Sequence, residues 1–227
     1  EDVATAAKTA LPAARGALIP DEEPIGPDYG EVAIRLSAES NRARVENRTG
    51  RPGGPISDED FAAVVTEVVE LATVAGVTPS YFELVTAAAF TWFAQLPVDV
   101  AVVEVGVLGR YDATNVADAR VAVITNIGED HTDGYGDWRA DIAKEKSGIV
   151  KPESFLVLGE TDADLRPIFE EASGGRLWVR GEDFAAEANV MAVGGRVVDV
   201  RTPAGVLDQL FVPVHGEHQG ENAALAV

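Results

Sequence analysis

The sequence contains no cysteine, which excludes disulfides and thiolate metal sites and fits a reducing compartment. It has no apolar run near the roughly 20 residues that a membrane-spanning helix needs. It opens acidic and alanine-rich rather than basic and then apolar, which predicts no secretory leader at its start. Positive charge is scarce: 18 lysines and arginines against 38 acids leave a net charge of −20, which repels phosphate and argues against nonspecific nucleic-acid binding. Only Lys8, Lys144, Lys146 and Lys151 are lysines, and the last three crowd together. Finally, the glycine-rich phosphate loop G-x-x-x-x-G-K-[ST] occurs nowhere.

What is present reads as a globular α/β chain long enough for one large or two small domains. Residues 1–55 have weak periodicity and carry PDEEPIGPDYG and the polar run SNRARVENRTGRPGGP, which reads as an irregular segment. Within it, Asp2–Ala14 predicts a short helix and Glu31–Leu36 a short strand. From Ile56 the pattern sharpens. Ser57 is placed to cap a helix whose first turn holds Asp58, Glu59 and Asp60. Phe61, Val64, Val65, Val68, Val69, Leu71 and Ala72 recur at helical spacing up to Gly76. A second helix follows Thr78-Pro79, runs through Phe82, Val85, Ala89, Phe90 and Phe93, and ends before Pro97.

Val98–Val105 and Arg120–Ile127 are nearly continuous apolar runs, as parallel strands covered on both faces would be. Helices over Asp137–Ser147 and Asp162–Ala172 alternate with strands at Ser154–Leu158 and Leu177–Arg180, predicting a mostly parallel sheet flanked by helices. Beyond Gly181 the segments Asn189–Val193, Arg196–Arg201 and Leu207–Val214 alternate around Gly-Gly and Pro-Ala-Gly turns, predicting antiparallel hairpins at the sheet's edge near the C-terminal end. His218–Val227 reads as the opening of a helix.

The chemistry gathers between Val103 and Val150. Glu104 follows four apolar residues at the carboxyl end of a strand, the edge where open parallel sheets bind ligands. A carboxylate there can hold Mg²⁺, or it can be an acid at an exposed strand end. Asp130-His131 follows the next strand in the same way, and His131 is either a ligand or a structural histidine. Lys146, on the helix after that loop, can neutralise phosphate charge or sit in a solvated turn. At roughly 200° around the helix, Lys144 faces elsewhere. Asp112 and Asn115 of RYDATN position a loop near a metal or serve as turn and capping residues.

Six motifs in order resemble the folylpolyglutamate synthase / dihydrofolate synthase family of the Mur ligase superfamily. EVG-x-GGR-x-DATN is echoed by Glu104-Val105-Gly106, Gly109-Arg110 and Asp112–Asn115. ITNI-x-x-DHT appears as Ile124–Ile127 and Asp130-His131-Thr132. IA-x-EK-[AS]-GI-[IV]-KP appears as Ile142-Ala143, Glu145–Val150 and Lys151-Pro152. H-G-x-H-Q-x-x-N-A-A appears as His215-Gly216, His218-Gln219 and Asn222–Ala224. Upstream, Pro55–Ser57, Phe61, Phe82-Glu83, Thr86 and Ala89-Phe90 match the family's PIS-x-x-x-F and F-E-x-x-T-x-x-A-F helices.

The resemblance implies a P-loop-NTPase-like α/β fold and an ATP-dependent ligase that activates a carboxylate as an acyl phosphate and joins it to glutamate. It implies ATP and Mg²⁺, with folate or dihydropteroate and L-glutamate as substrates, acting as a cytoplasmic monomer with no nucleic-acid or membrane partner. Glu104 and His131 match metal ligands, and Lys146 matches a lysine that CO₂ converts to a carbamate ligand, so Lys146 and His131 are the expected catalytic pair. Asn126 and the trio His218, Gln219 and Asn222 are the expected nucleotide contacts. Residues 56–227 then form the central ATP-binding domain, expected to be incomplete at its C-terminal end, preceded by an atypical segment 1–55. Two departures stand out: the family's GTNGKGS loop is absent, and Leu108 stands where the family prefers glycine. A catalytically inactive relative serving as a binding or assembly module, or a ligase for peptidoglycan precursors, are the alternatives.

Overall fold

The computed structural model describes residues 32–37, 42–47, 56–96, 100–128 and 138–227, the first two stretches as backbone only. The expected helix at Asp2–Ala14, Pro97, Asp130 and His131 lie outside the described residues. The chain divides into two compact units, Glu1–Val107 with Asp112–Ala117, and Leu108–Tyr111 with Asp118–Val227.

In the first unit, strands β1 (Val32–Ser37), β2 (Arg42–Asn47) and β3 (Val100–Val103) form one sheet in the order β2-β1-β3. β1 is antiparallel to β2 and parallel to β3, with Ala33 opposite Val100. β2 falls in the polar run that read as irregular. Helix α1 (Asp58–Ala75) starts where Ser57 accepts from the Asp60 N–H, and α2 (Tyr81–Gln95) starts in a capping box between Ser80 and Glu83. Val64 and Val68 of α1 pack on Ala88, Ala89, Trp92 and Phe93 of α2, with Val103 of β3 against the same cluster.

In the second unit, β4 (Val121–Ile124), β5 (Phe155–Leu158) and β6 (Leu177–Val179) are parallel in that order, and α3 (Trp138–Ser147) and α4 (Arg166–Ser173) alternate with them along the chain. Ile142 and Ala143 of α3 and Phe169 of α4 close the core over Ile124, Leu156, Leu158 and Val179. Strands β7 (Ala185–Ala192), β8 (Gly195–Thr202) and β9 (Gly205–Val212) are antiparallel as expected but pair as a sheet of their own rather than extending the parallel one. Helix α5 (Glu217–Ala226) and this sheet bury Phe184, Val198, Val200, Ala224 and Leu225, with Val157 of β5 against them.

One expectation is corrected. The apolar runs predicted strands covered on both faces, but β4 buries Ala122 and Ile124 and leaves Val121 and Val123 exposed, and Val100 and Val102 of β3 are about half exposed. An apolar run alone does not distinguish a strand covered twice from one covered once.

Candidate functional site

The carboxyl ends of the strands carry the expected groups. Glu104 directly follows β3, is exposed, and takes no hydrogen bond among the described residues. Its carboxylate is the hard oxygen donor that Mg²⁺ takes, so its chemistry fits that ion. Among the described residues no group of three or more acidic or histidine side chains gathers around a metal-sized space. Asn126 follows β4, exposed, and its side-chain oxygen accepts from the Thr125 hydroxyl at 3.1 Å.

Past β5, Glu160 repeats the pattern of an acid just beyond a strand end. Its side chain is 10% exposed, and it accepts from the N–H groups of Ile127, Thr161 and Asp162, each at 2.9 Å. Arg139, in the first turn of α3, lies 3.4 Å from Glu160 and 3.2 Å from Asp162. The Glu160 carboxylate therefore ties the loop leaving β4 to the one leaving β5. Glu160 is not among the residues singled out from sequence, though its place two residues past the apolar run of β5 carries the same signal as Glu104.

Lys146 sits in the last turn of α3. Seven residues after Arg139, it shares the helix face of buried Ile142 and Ala143 and is half-buried; among the described residues its amine has no hydrogen-bond or ion-pair partner. Lys144 is exposed and pairs with Asp141 at 3.4 Å, so the two lysines face differently, as the helical spacing predicted.

The RYDATN segment divides its work. Asp112 accepts from the Thr114 N–H at 2.9 Å and from the Val107 N–H at 2.8 Å, capping a 3₁₀ turn at Ala113–Val116 and closing the loop base. Of the two readings open for Asp112, the structure supports the capping one. Arg110 donates its backbone N–H to the Glu145 carbonyl at 3.0 Å and a guanidinium N–H to the Lys144 carbonyl at 3.1 Å. Leu108 has φ +58°, a left-handed conformation that a bulky side chain rarely adopts, which gives the family's glycine preference there a conformational cause.

Helix α5 gathers His218, Gln219 and Asn222 on about one turn; Asn222 donates to the Gln219 side-chain oxygen at 3.4 Å, and His218 and Asn222 are exposed. Asn189 of β7 donates to the Glu217 carbonyl at the helix start at 2.8 Å, is held in turn by Arg196, and Arg180 bonds Glu221. These anchors were invisible in the sequence because they join residues far apart in it.

Residues 62–227 match the Mur ligase middle domain family. The dihydrofolate synthase/folylpolyglutamate synthase of Mycobacterium tuberculosis is 40% identical over 195 residues, covering 77% of this chain and 40% of that protein. The Bacillus subtilis protein of the same description is 33% identical over 183 residues, covering 77% and 43%. A solved M. tuberculosis folylpolyglutamate synthase complexed with ADP superposes with a TM-score of 0.73 at 33% identity, covering 99% of this chain and 50% of that one. An FPGS-AMPPCP-folate complex gives 0.78 at 26% identity, with 99% and 53% covered. The chain thus spans about half the length of the relatives it matches or less.

Proposed function

This chain belongs to the Mur ligase middle domain family, and on that footing we propose that it is the nucleotide-handling part of an ATP-dependent ligase joining glutamate to folate or dihydropteroate. The observation that carries the reading is the order of functional groups along the fold: Glu104 at the end of β3, Asn126 past β4, Lys146 in the last turn of α3, and His218, Gln219 and Asn222 together on α5. In the reaction, the substrate carboxylate takes the terminal phosphoryl group of ATP as an acyl phosphate. The glutamate amine then displaces phosphate, and an amide forms.

Glu104 and His131 would hold Mg²⁺, with Lys146 as a third ligand once its amine carries CO₂. Bound there, the ion would supply positive charge against the negative charge that develops on the transferred phosphoryl group. As a free ammonium, Lys146 would do part of that neutralising itself. Asn126 and the His218–Gln219–Asn222 trio would hold the nucleotide, the trio at its adenine. The ligase is taken to act as a cytoplasmic monomer, a reading that the lack of cysteine fits as far as a reducing compartment goes.

The test is ADP release by the intact gene product with Mg-ATP, glutamate and either folate or dihydropteroate. Glutamate-dependent release with a matching amide product supports the reading; activity only on a peptidoglycan precursor overturns it. The absence of G-x-x-x-x-G-K-[ST] favours a second reading, an inactive relative kept as a binding module. Failure of every substrate, with the protein folded, selects that one.

A further inference from the structure

We infer that Arg110 is a positioning residue, clamping the last turn of α3 and so fixing where the Lys146 amine is presented. The inference rests on the ligase reading only for what Lys146 does; the clamp itself rests on geometry. A helix leaves its last four carbonyls without intrahelical donors. In α3 two of these, on Lys144 and Glu145, accept from the guanidinium and backbone N–H of Arg110, at 3.1 and 3.0 Å, beside local donors, the Ser147 hydroxyl on Lys144 at 2.8 Å and the Gly148 N–H on Glu145 at 3.1 Å, so that Arg110 ties an already closed turn to the loop. A cation at this end also opposes the negative pole of the helix. The Arg110 Nε lies 3.6 Å from the Glu145 carboxylate, an ion pair too long and exposed to carry the clamp alone.

Steric fit points the same way. A Cβ on Gly109 would lie 2.9 Å from the Glu145 carbonyl oxygen and 3.1 Å from that of Lys146, both rigid backbone. A Cβ on Gly148 would lie 2.6 Å from Cβ and 2.8 Å from Cα of Arg110. The two glycines, 39 positions apart, clear both sides of one contact, and Lys146 lies inside the turn they enclose. Leu108, next to the clamp, packs on the second unit's core despite its positive φ, a second anchor for the segment that carries Arg110.

The experiment labels the folded chain with acetic anhydride and compares Lys146 with Lys144 by peptide mass spectrometry. Lys144 is the internal control, since its amine is already exposed. Arg110→Ala should raise Lys146 labelling about tenfold, the equivalent of roughly 1.4 kcal/mol, leaving Lys144 unchanged. Arg110→Lys, which keeps the charge but not the forked donor, should fall between. Gly109→Ala keeps the guanidinium and should reproduce the Arg110→Ala pattern, so the test stands even if Arg110→Ala does not fold. Unchanged Lys146 labelling in Gly109→Ala and Arg110→Lys, or an equal rise at both lysines, overturns the clamp. In the intact ligase the same variants should lower kcat and leave KM for ATP in place. A labelling response without ligase activity in the unsubstituted protein would keep the clamp and sink the ligase reading.

Discussion

At φ +58° the Cβ of Leu108 crowds its own backbone, a conformation disfavoured by roughly 1–2 kcal/mol for a residue that has a Cβ. The half-buried side chain offsets part of this by packing on the core of the second unit. Replacement therefore has a sign that depends on the residue put in. Leu108→Ala keeps the strain and loses the packing, so it should destabilise by about 1–2 kcal/mol. Leu108→Gly loses the packing but also the strain, and should be about 1 kcal/mol more stable than the alanine variant. Urea midpoints in the reverse order would mean that the loop relaxes on substitution. Lys146 and Lys144 make a second comparison at this scale. In the intact ligase Lys146→Ala should abolish turnover while Lys144→Ala, whose side chain pairs with Asp141, retains most of it. Equal small losses would return Lys146 to the role of a solvated helix lysine. The places of Glu104 and Lys146 were legible because each follows from one local rule, a strand end or a helix face, whereas Asn126 came from the family resemblance. Arg110 and Asn189 were not legible, because what they hold lies 34 and 28 residues away.

Among the elements, α1 shows how far periodicity reaches. Its spacing gave the helix and both ends, yet Val64, Val68 and Ala72 are buried and Val65 packs beside them, while Phe61, Val69 and Leu71 are left exposed. A wide apolar stripe does not reveal which part of it finds a partner. β2 was missed for the opposite reason: RARVEN alternates charged with small or apolar residues and becomes a strand through its pairing with β1. The docking of α5 is testable through Gly220, whose added Cβ would run into the Asn189 amide. Gly220→Ala should destabilise by about 1–3 kcal/mol through this overpacking. Asn189→Ala in the same chain should return part of that loss, because it removes the obstacle; additive losses in thermal melts would show the two residues to be uncoupled. At α4, hydrogen bonding to Arg166 holds the Glu182 carboxyl below its ordinary value and raises Arg166 above its own. A depressed carboxyl stabilises the fold above its unfolded pKa of about 4.3 and loses that contribution as pH falls through the lower folded value. Glu182→Gln should flatten the acid limb of Tm against pH, slightly, since the pair is exposed.

Taken whole, the chain carries a net charge of −20 into any encounter with a polyanionic nucleotide, and its sequence has no glycine-lysine phosphate loop to offset that repulsion. Calorimetry on this chain alone should therefore show weak or no binding of Mg-ATP; micromolar affinity would reveal an unrecognised phosphate cradle. Alternating strands and helices made the parallel sheet of the second unit legible from sequence, and glycine turns did the same for its antiparallel one. The division of the chain was hidden, because the backbone leaves the first unit at Leu108, returns at Asp112 and leaves again at Asp118. That itinerary bears on any attempt to cut the molecule in two. A fragment starting at Asp118 would own α3 but not Gly109 and Arg110, which meet its end, and a fragment ending at Ala117 would carry them as an orphaned plug. Mixed together, the halves have a ready-made socket and key, so a short peptide spanning Val107–Asp112 should compete with their reassembly.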